Sequence, residues 1–65
     1  MKIRLNGADH ETAAGNIGTL LDESGLPRQT ALVEHNGEAL RREEWDGAIL
    51  HEGDAVEVLR VAAGG

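Results

Sequence analysis

The small supply of large apolar side chains most constrains what this chain can fold into. Of the 65 residues, 26 are apolar, but nine of these are alanine, so 17 large apolar side chains remain to form a core. A chain of this length forms one domain, near the lower limit at which proteins fold without disulfides or metals. Its expected free energy of unfolding is about 3–10 kcal/mol. Because an enclosed, strained catalytic pocket would cost much of that stability, we expect a carrier or binding module rather than an enzyme.

The composition excludes several kinds of site and partner. There is no cysteine, and therefore no disulfide, thiolate metal site or cysteine nucleophile. Twelve acidic residues against six basic ones give a net charge of −6, which would repel a nucleic-acid backbone. The longest apolar run is three residues, too short for a membrane-spanning helix or a signal peptide. The sequence predicts a cytoplasmic protein that binds neither nucleic acid nor membranes.

The N-terminal half predicts a hairpin followed by one short helix. Residues 1–6 alternate apolar and polar side chains, as a half-buried strand does. Asn6-Gly7 predicts a tight turn, because both residues tolerate positive φ, and a weakly apolar edge strand is expected over residues 9–13. Asn16 is suited to cap a helix and Gly25 to end it. The apolar residues of that helix recur on one face: Ile17, Leu20 and Leu21.

The C-terminal half predicts a second hairpin and a final strand. Residues 30–40 form two predicted strands around the turn Asn36-Gly37. Residues 41–46 are polar around a single tryptophan, Trp45, which indicates a turn or a 3₁₀ segment. Residues 55–61 form the most apolar strand, so we expect it at the centre of the sheet. The predicted class is α+β, with a mixed sheet of four to five strands packed on one short helix.

Two glycines, Gly64 and Gly65, end the sequence. Residues without a Cβ form a flexible tail that can enter a narrow channel and present its carboxylate as the reacting group. A carboxylate reacts poorly until it is activated, for instance as an acyl-adenylate. A frayed end is the other interpretation, since a terminal glycine pair arises by chance in about one chain in 200. Either way, the sequence divides into a domain over residues 1–61 and a flexible tail over residues 62–65.

The remaining polar residues form no pattern typical of catalysis. The acidic residues are spread along the chain, without a pair suited to acid–base chemistry. His35 has the parity of an inward-facing residue, and Asp54 is expected to organise a turn. Arg41-Arg42 would meet either an acidic partner or the neighbouring Glu43 and Glu44. Three histidines match no metal-ligand spacing, so no metal site is predicted: His10, His35 and His51.

The order of these motifs resembles that of the ubiquitin-like bacterial sulfur carriers, and most closely the ThiS family of thiamine thiazole biosynthesis. The resemblance covers the whole chain. One departure is Arg41, in a loop, where the family usually has proline. The motifs that carry the resemblance run from the N-terminal strand and turn to the glycine pair: Ile3 to Gly7, Leu20-Leu21, Asn36-Gly37, Leu40 to Trp45, Glu52 to Val58 and Val61 to Gly65.

This resemblance implies a β-grasp fold with the first and last strands parallel at the centre of the sheet. It implies that an adenylyltransferase related to ubiquitin-activating enzymes uses ATP to adenylate the carboxylate of Gly65, with Gly64 and Ala63 threading into that partner. Sulfur from a cysteine desulfurase would then replace the AMP, and a thiazole synthase would take it from the thiocarboxylate. The chain itself would bind no cofactor. Partners would dock on the exposed sheet face, at Leu59, Val61 and neighbours on the third strand.

The sequence leaves two alternatives open. The same thiocarboxylate chemistry would serve another acceptor, such as molybdopterin, cysteine or a secondary metabolite. The short length and the stretch around Trp45 favour the thiazole branch, since molybdopterin carriers tend to be longer. The other alternative is a ubiquitin-like modifier or plain interaction domain, whose tail would form isopeptide bonds or do nothing.

Overall fold

The computed structural model describes residues 1–61. Residues 62–65, the predicted tail, lie outside the described residues, and the division into domain and tail stays a prediction. The strands and helices run in this order: β1 (Lys2–Leu5), β2 (Ala8–Glu11), α1 (Ile17–Glu23), a 3₁₀ helix (Arg28–Thr30), β3 (Ala31–His35), β4 (Glu38–Leu40), a second 3₁₀ helix (Arg42–Gly47) and β5 (Ala55–Arg60).

The five strands form one mixed sheet in the order β2-β1-β5-β3-β4. β1 and β5 are parallel, while the pairs β1–β2, β3–β4 and β3–β5 are antiparallel. The predicted central position of the last strand and edge position of the second strand are therefore confirmed. So is the β-grasp arrangement, with its parallel central pair and one α-helix packed on the sheet.

Both hairpins turn at an Asn-Gly pair in the left-handed region of the backbone. The φ angles are 53° at Asn6 and 83° at Gly7, and 52° at Asn36 and 85° at Gly37. Asparagine and glycine adopt such angles at low cost, and the resulting turn matches the twist of the paired strands. These two predicted turns fix the ends of four of the five strands.

Helix α1 begins and ends where its sequence predicts. The Asn16 Oδ1 accepts the backbone N–H of Thr19 at 2.7 Å, which satisfies one free donor of the first turn. At the other end Gly25 has a φ of 72°, and the Leu26 N–H donates to the Leu21 carbonyl at 3.0 Å, as in a Schellman motif. The apolar face of α1 covers one side of the sheet, where the buried core comprises Ile3, Ala14, Ile17, Leu20, Leu21, Ala31, Val33, Trp45, Leu50, Val56 and Val58.

The segment around Trp45 is the predicted 3₁₀ helix, and it packs against α1. Trp45 is 1% exposed, so it supplies a large share of the core of this small domain. Gly18 lies where α1 meets this segment, and a Cβ there would overlap the Asp46 side chain. Arg28 links the two helices through Asp22 at 3.1 Å and Asp46 at 3.4 Å. The hydrogen bond with Asp22 raises the pKa of the Arg28 guanidinium.

Strand boundaries differ from the prediction by one or two residues at most ends. The clearest difference is at Thr30, which closes a 3₁₀ helix instead of opening β3. The prediction of a strand there was wrong because Thr30 belongs to the 3₁₀ helix Arg28–Thr30, which follows Pro27. The Thr30 carbonyl accepts the N–H of Val61 at 2.8 Å, just beyond the last residue pair of the β3–β5 ladder.

Asp54 ties the second hairpin to the turn before β5. Its carboxylate accepts hydrogen bonds from His35 Nε2 at 2.8 Å, Asn36 Nδ2 at 3.2 Å and the backbone N–H of His51 at 2.9 Å. Burial raises the pKa of Asp54, but these three hydrogen bonds outweigh it and hold the pKa below its ordinary value. The predicted role of Asp54 in the turn is thus confirmed, and His35 is its principal partner.

We predict that Asp54→Asn lowers the free energy of unfolding by about 1–3 kcal/mol at neutral pH, since it weakens a half-buried network of hydrogen bonds to a charged group. Because the folded-state pKa of Asp54 is lowered, the ionised carboxylate adds stability above the unfolded-state pKa of about 3.9. That contribution disappears as pH falls through the folded-state pKa. The difference between wild type and variant should therefore shrink below about pH 4.

Urea unfolding followed by Trp45 fluorescence measures this difference at each pH. The matched control is Asp46→Asn, because the Asp46 side chain is 76% exposed and its removal should cost no more than about 1 kcal/mol. An Asp54→Asn penalty that stays constant from neutral pH to well below pH 4 would contradict the assigned role of the ionised carboxylate.

Candidate functional site

The chain leaves the sheet at the end of β5, beside the start of β3. Arg60 lies opposite Ala31 in the antiparallel register, and Val61 is held by its N–H to the Thr30 carbonyl at 2.8 Å. The predicted reactive residue Gly65 and the predicted threading residues Gly64 and Ala63 lie outside the described residues. Their roles stay predictions, but the point from which they extend is fixed by β5.

The outer face of the sheet carries exposed apolar side chains next to this exit. Along β5, Val56 and Val58 are buried while Leu59 is 66% exposed, and Leu32 on β3 lies directly opposite it and is 56% exposed. Val61 is 46% exposed. Both predicted docking residues, Leu59 and Val61, are therefore on the surface near the chain exit. Their contact with a partner stays a prediction.

A pocket of about 250 Å³ opens on the same face. Its apolar walls include Leu32 and Leu59, and its polar wall includes Glu34 and Glu57. Ala39, opposite Glu34 on β4, leaves room for the pocket because its side chain is only a methyl group. Sequence reasoning did not single out Leu32, Glu34, Ala39 or Glu57. Strand alternation around Val33 and Val58 would have placed most of them outward, but not side by side.

The three histidines do not converge on a metal site. His10 is half-buried on β2 opposite Ile3, whereas His35 and His51 both face Asp54, at 2.8 Å and 3.8 Å. Within residues 1–61, no group of three or more histidine and acidic side chains is placed to hold a metal ion. The hydrogen bonds of Asp54 with His35, Asn36 and His51 join the second hairpin to the turn before β5.

The side chains of the basic pair Arg41-Arg42 contact nearby groups of the same chain. Arg41 lies 3.8 Å from Glu43 and 3.9 Å from Glu44, and Arg42 donates to the Gln29 carbonyl at 3.1 Å. Of the two interpretations of this pair, the structure favours the local one. In the described part of the chain, no helix is long and apolar enough to cross a bilayer.

Comparison with solved structures finds the same fold in proteins of thiamine biosynthesis. The crystal structure of the thiamine biosynthesis protein ThiS from Geobacter metallireducens superposes with a TM-score of 0.84 at 33% identity, covering 100% of both chains. The solution structure of a thiamine biosynthesis protein from the same organism gives a TM-score of 0.80 at 33% identity, covering 100% of this chain and 88% of that one.

Comparison of sequences points the same way. Over 66 residues the chain is 35% identical to a thiazole synthase of Magnetococcus marinus, a match that covers 100% of this chain and 20% of that protein. The chain thus spans about one fifth of the length of this curated relative. The sequence profile of the ThiS family matches residues 3–65, which includes the terminal glycine pair. The predicted resemblance is confirmed, and the chain belongs to the ThiS family.

Proposed function

We propose that this chain is a sulfur carrier of thiamine biosynthesis and that the carboxylate of Gly65 carries the sulfur as a thiocarboxylate. The observation that carries the proposal is the family match over residues 3–65, which reaches the terminal Gly64-Gly65. The end of β5 supports it, because the last described residue, Val61, and the nearby Leu59 and Leu32 form an exposed apolar surface. The sequence also lacks cysteine, so no thiol of its own competes for an activated tail.

The proposed chemistry needs a carboxylate and a partner enzyme. The Gly65 carboxylate attacks the α-phosphorus of ATP on an adenylyltransferase related to ubiquitin-activating enzymes, which forms an acyl-adenylate and releases pyrophosphate. A sulfur nucleophile then attacks the carbonyl carbon. With hydrosulfide, the acyl-adenylate and HS⁻ give the thiocarboxylate, AMP and a proton, as a C–S bond forms and the C–O bond to AMP breaks. In a cell a cysteine desulfurase would supply the sulfur as a persulfide, whose attack on the acyl-adenylate gives an acyl disulfide and AMP. A second thiol would then reduce the acyl disulfide, which releases the thiocarboxylate as a new disulfide forms between the two thiols. We propose that all of these steps take place in the cytoplasm.

The proposed acceptor enzyme is a thiazole synthase. A protein of that name contains a stretch similar to this whole chain within a sequence five times as long. A carrier and its acceptor enzyme held in one polypeptide meet at high effective concentration. We propose that a thiazole synthase takes the sulfur from this chain and contacts the outer sheet face, where Leu32 and Leu59 are exposed.

Incubation with the adenylyltransferase, ATP and sodium sulfide should replace one C-terminal oxygen with sulfur. Intact mass spectrometry and fragmentation of the C-terminal peptide check this result. An unchanged mass in the presence of an active cognate enzyme would contradict the carrier function. A mass that rises by attachment to the lysine of another protein would instead indicate a ubiquitin-like modifier.

Deletion of Gly65 should abolish adenylation and leave stability unchanged, because the deleted residue follows the last strand. Gly64→Ala should slow adenylation by up to about 10²-fold, since a misplaced reacting group loses much of its rate. Gly15→Ala is the matched control, because Gly15 lies in a loop with space for a Cβ. Pyrophosphate release measures adenylation, and Trp45 fluorescence in urea measures stability. Loss of folding on deletion of Gly65 would contradict the model of a free tail.

A further inference from the structure

Two glutamates lie directly opposite each other on the outer face of the sheet. Glu34 on β3 and Glu57 on β5 are register partners, and both side chains are exposed. Directly opposite residues in an antiparallel pair have Cβ atoms about 4.5–5.5 Å apart, where like charges destabilise the sheet. The two strands that carry this repulsion, β3 and β5, share the longest ladder of the sheet.

Nothing in the described part of the chain neutralises this pair. The ion pairs within residues 1–61 include neither Glu34 nor Glu57. Arg41, on the side of β4, is directed to its own neighbours Glu43 and Glu44. Arg4 donates to the Gly7 carbonyl at 2.8 Å.

On β1 and β2, the other half of the same sheet face, register partners have opposite charges. There Lys2 lies opposite Glu11 and Arg4 opposite Asp9, so each acidic side chain has a basic register partner. Opposite charges at such positions stabilise a sheet by a few tenths of a kcal/mol each. Among the described residues of this face, register partners of like charge therefore occur only on β3 and β5, the strands that also carry the exposed leucines.

The glutamate pair forms one wall of the pocket of about 250 Å³, and apolar side chains form the rest. Leu32 and Leu59, also register partners, lie one outward-facing row closer to the chain exit. Ala39, on β4, is the register partner of Glu34 on β3. The pocket thus has an apolar lining with two carboxylate side chains next to it.

We propose that this pocket receives an arginine side chain of the adenylating partner. The alkyl stem would pack on Leu32, Leu59 and Ala39, while the guanidinium lies between the carboxylates of Glu34 and Glu57. A planar guanidinium presents donors along two edges and binds carboxylates in a bidentate manner, which the compact ammonium of lysine does not. That the arginine belongs to the adenylating enzyme rests on the proposed function, whereas the specificity of the pocket does not.

This contact would hold the start of the tail in a defined position on the adenylating partner. Leu59 lies near the end of β5, two positions before Val61, the last described residue. A side chain held against Leu59 would therefore fix the point from which the tail extends. An arginine anchor in a partly apolar pocket is the kind of residue that dominates binding energy at protein interfaces. The negative pair would also raise the rate of encounter with a basic partner surface.

The first test uses the isolated chain and a small probe. In a titration with N-butylguanidinium followed by amide chemical shifts, we expect perturbations at Leu32, Glu34, Ala39, Glu57 and Leu59, with a dissociation constant on the order of millimolar. Butanol and N-butylammonium should bind more weakly. The double variant Glu34→Gln/Glu57→Gln should lose the response, while Asp9→Asn/Glu11→Gln, two carboxylates of the same face, should keep it.

The second test uses the enzyme. We expect Glu34→Gln/Glu57→Gln to weaken binding to the adenylyltransferase by at least about tenfold and to flatten its dependence on NaCl. The control Asp9→Asn/Glu11→Gln should change the affinity by less than about twofold. The Glu34→Gln/Glu57→Gln variant should also be more stable than wild type, with Tm higher by about 2–4 °C, because the repulsion is removed.

The outcomes separate this inference from the proposed function. If the tail is adenylated and Glu34→Gln/Glu57→Gln binds the enzyme as wild type does, the arginine pocket is overturned and the carrier function stands. If the probe binds at these residues but no adenylyltransferase activates the tail, the carrier function fails and the pocket specificity stands. Equal binding of N-butylammonium and N-butylguanidinium, or a lower Tm for Glu34→Gln/Glu57→Gln, would overturn the inference in either case.

Discussion

The fold depends on the pairing of the last strand with the first. β5 lies between β1 and β3, so the two halves of the sheet join only when residues more than 50 positions apart along the chain pair. The parallel ladder is short, with Arg4 opposite Ala55 and Leu5 opposite Val56. Asn6 extends it, since its side-chain Oδ1 accepts the Val58 N–H at 2.7 Å. The residue that forms the first hairpin turn therefore also secures the central strand.

That central strand serves both the core and the surface. Val56 and Val58 point inward and are buried, while the alternate residues Glu57 and Leu59 point outward beside β3. A strand of six residues thus closes the core and forms part of the outer face. A chain with 17 large apolar side chains therefore completes its core and still leaves Leu32 and Leu59 exposed on that face.

Local signals made much of the fold predictable. Asn6-Gly7 and Asn36-Gly37 predicted their turns because positive φ is a local property, and the helix was indicated by its cap and apolar spacing. The pairing of Glu34 with Glu57 was not predictable in this way. Alternation assigns a residue to a face, but cross-strand neighbours depend on register, which is set by tertiary contacts. The predicted tail differs from this pair, because only the sequence indicates it and residues 62–65 lie outside the described residues.

The same stability limit that argued against an enclosed catalytic site also determines where unfavourable charge is tolerable. A buried carboxylate without a partner would cost several kcal/mol, a large share of the stability of so small a domain. Asp54 is accordingly placed among three hydrogen-bond donors. Within residues 1–61, Glu34 and Glu57 have no such donors, but they are exposed to water, where their repulsion is screened. A domain of this size can therefore keep uncompensated charge only on an open face of the sheet, and here that face includes the end of β5.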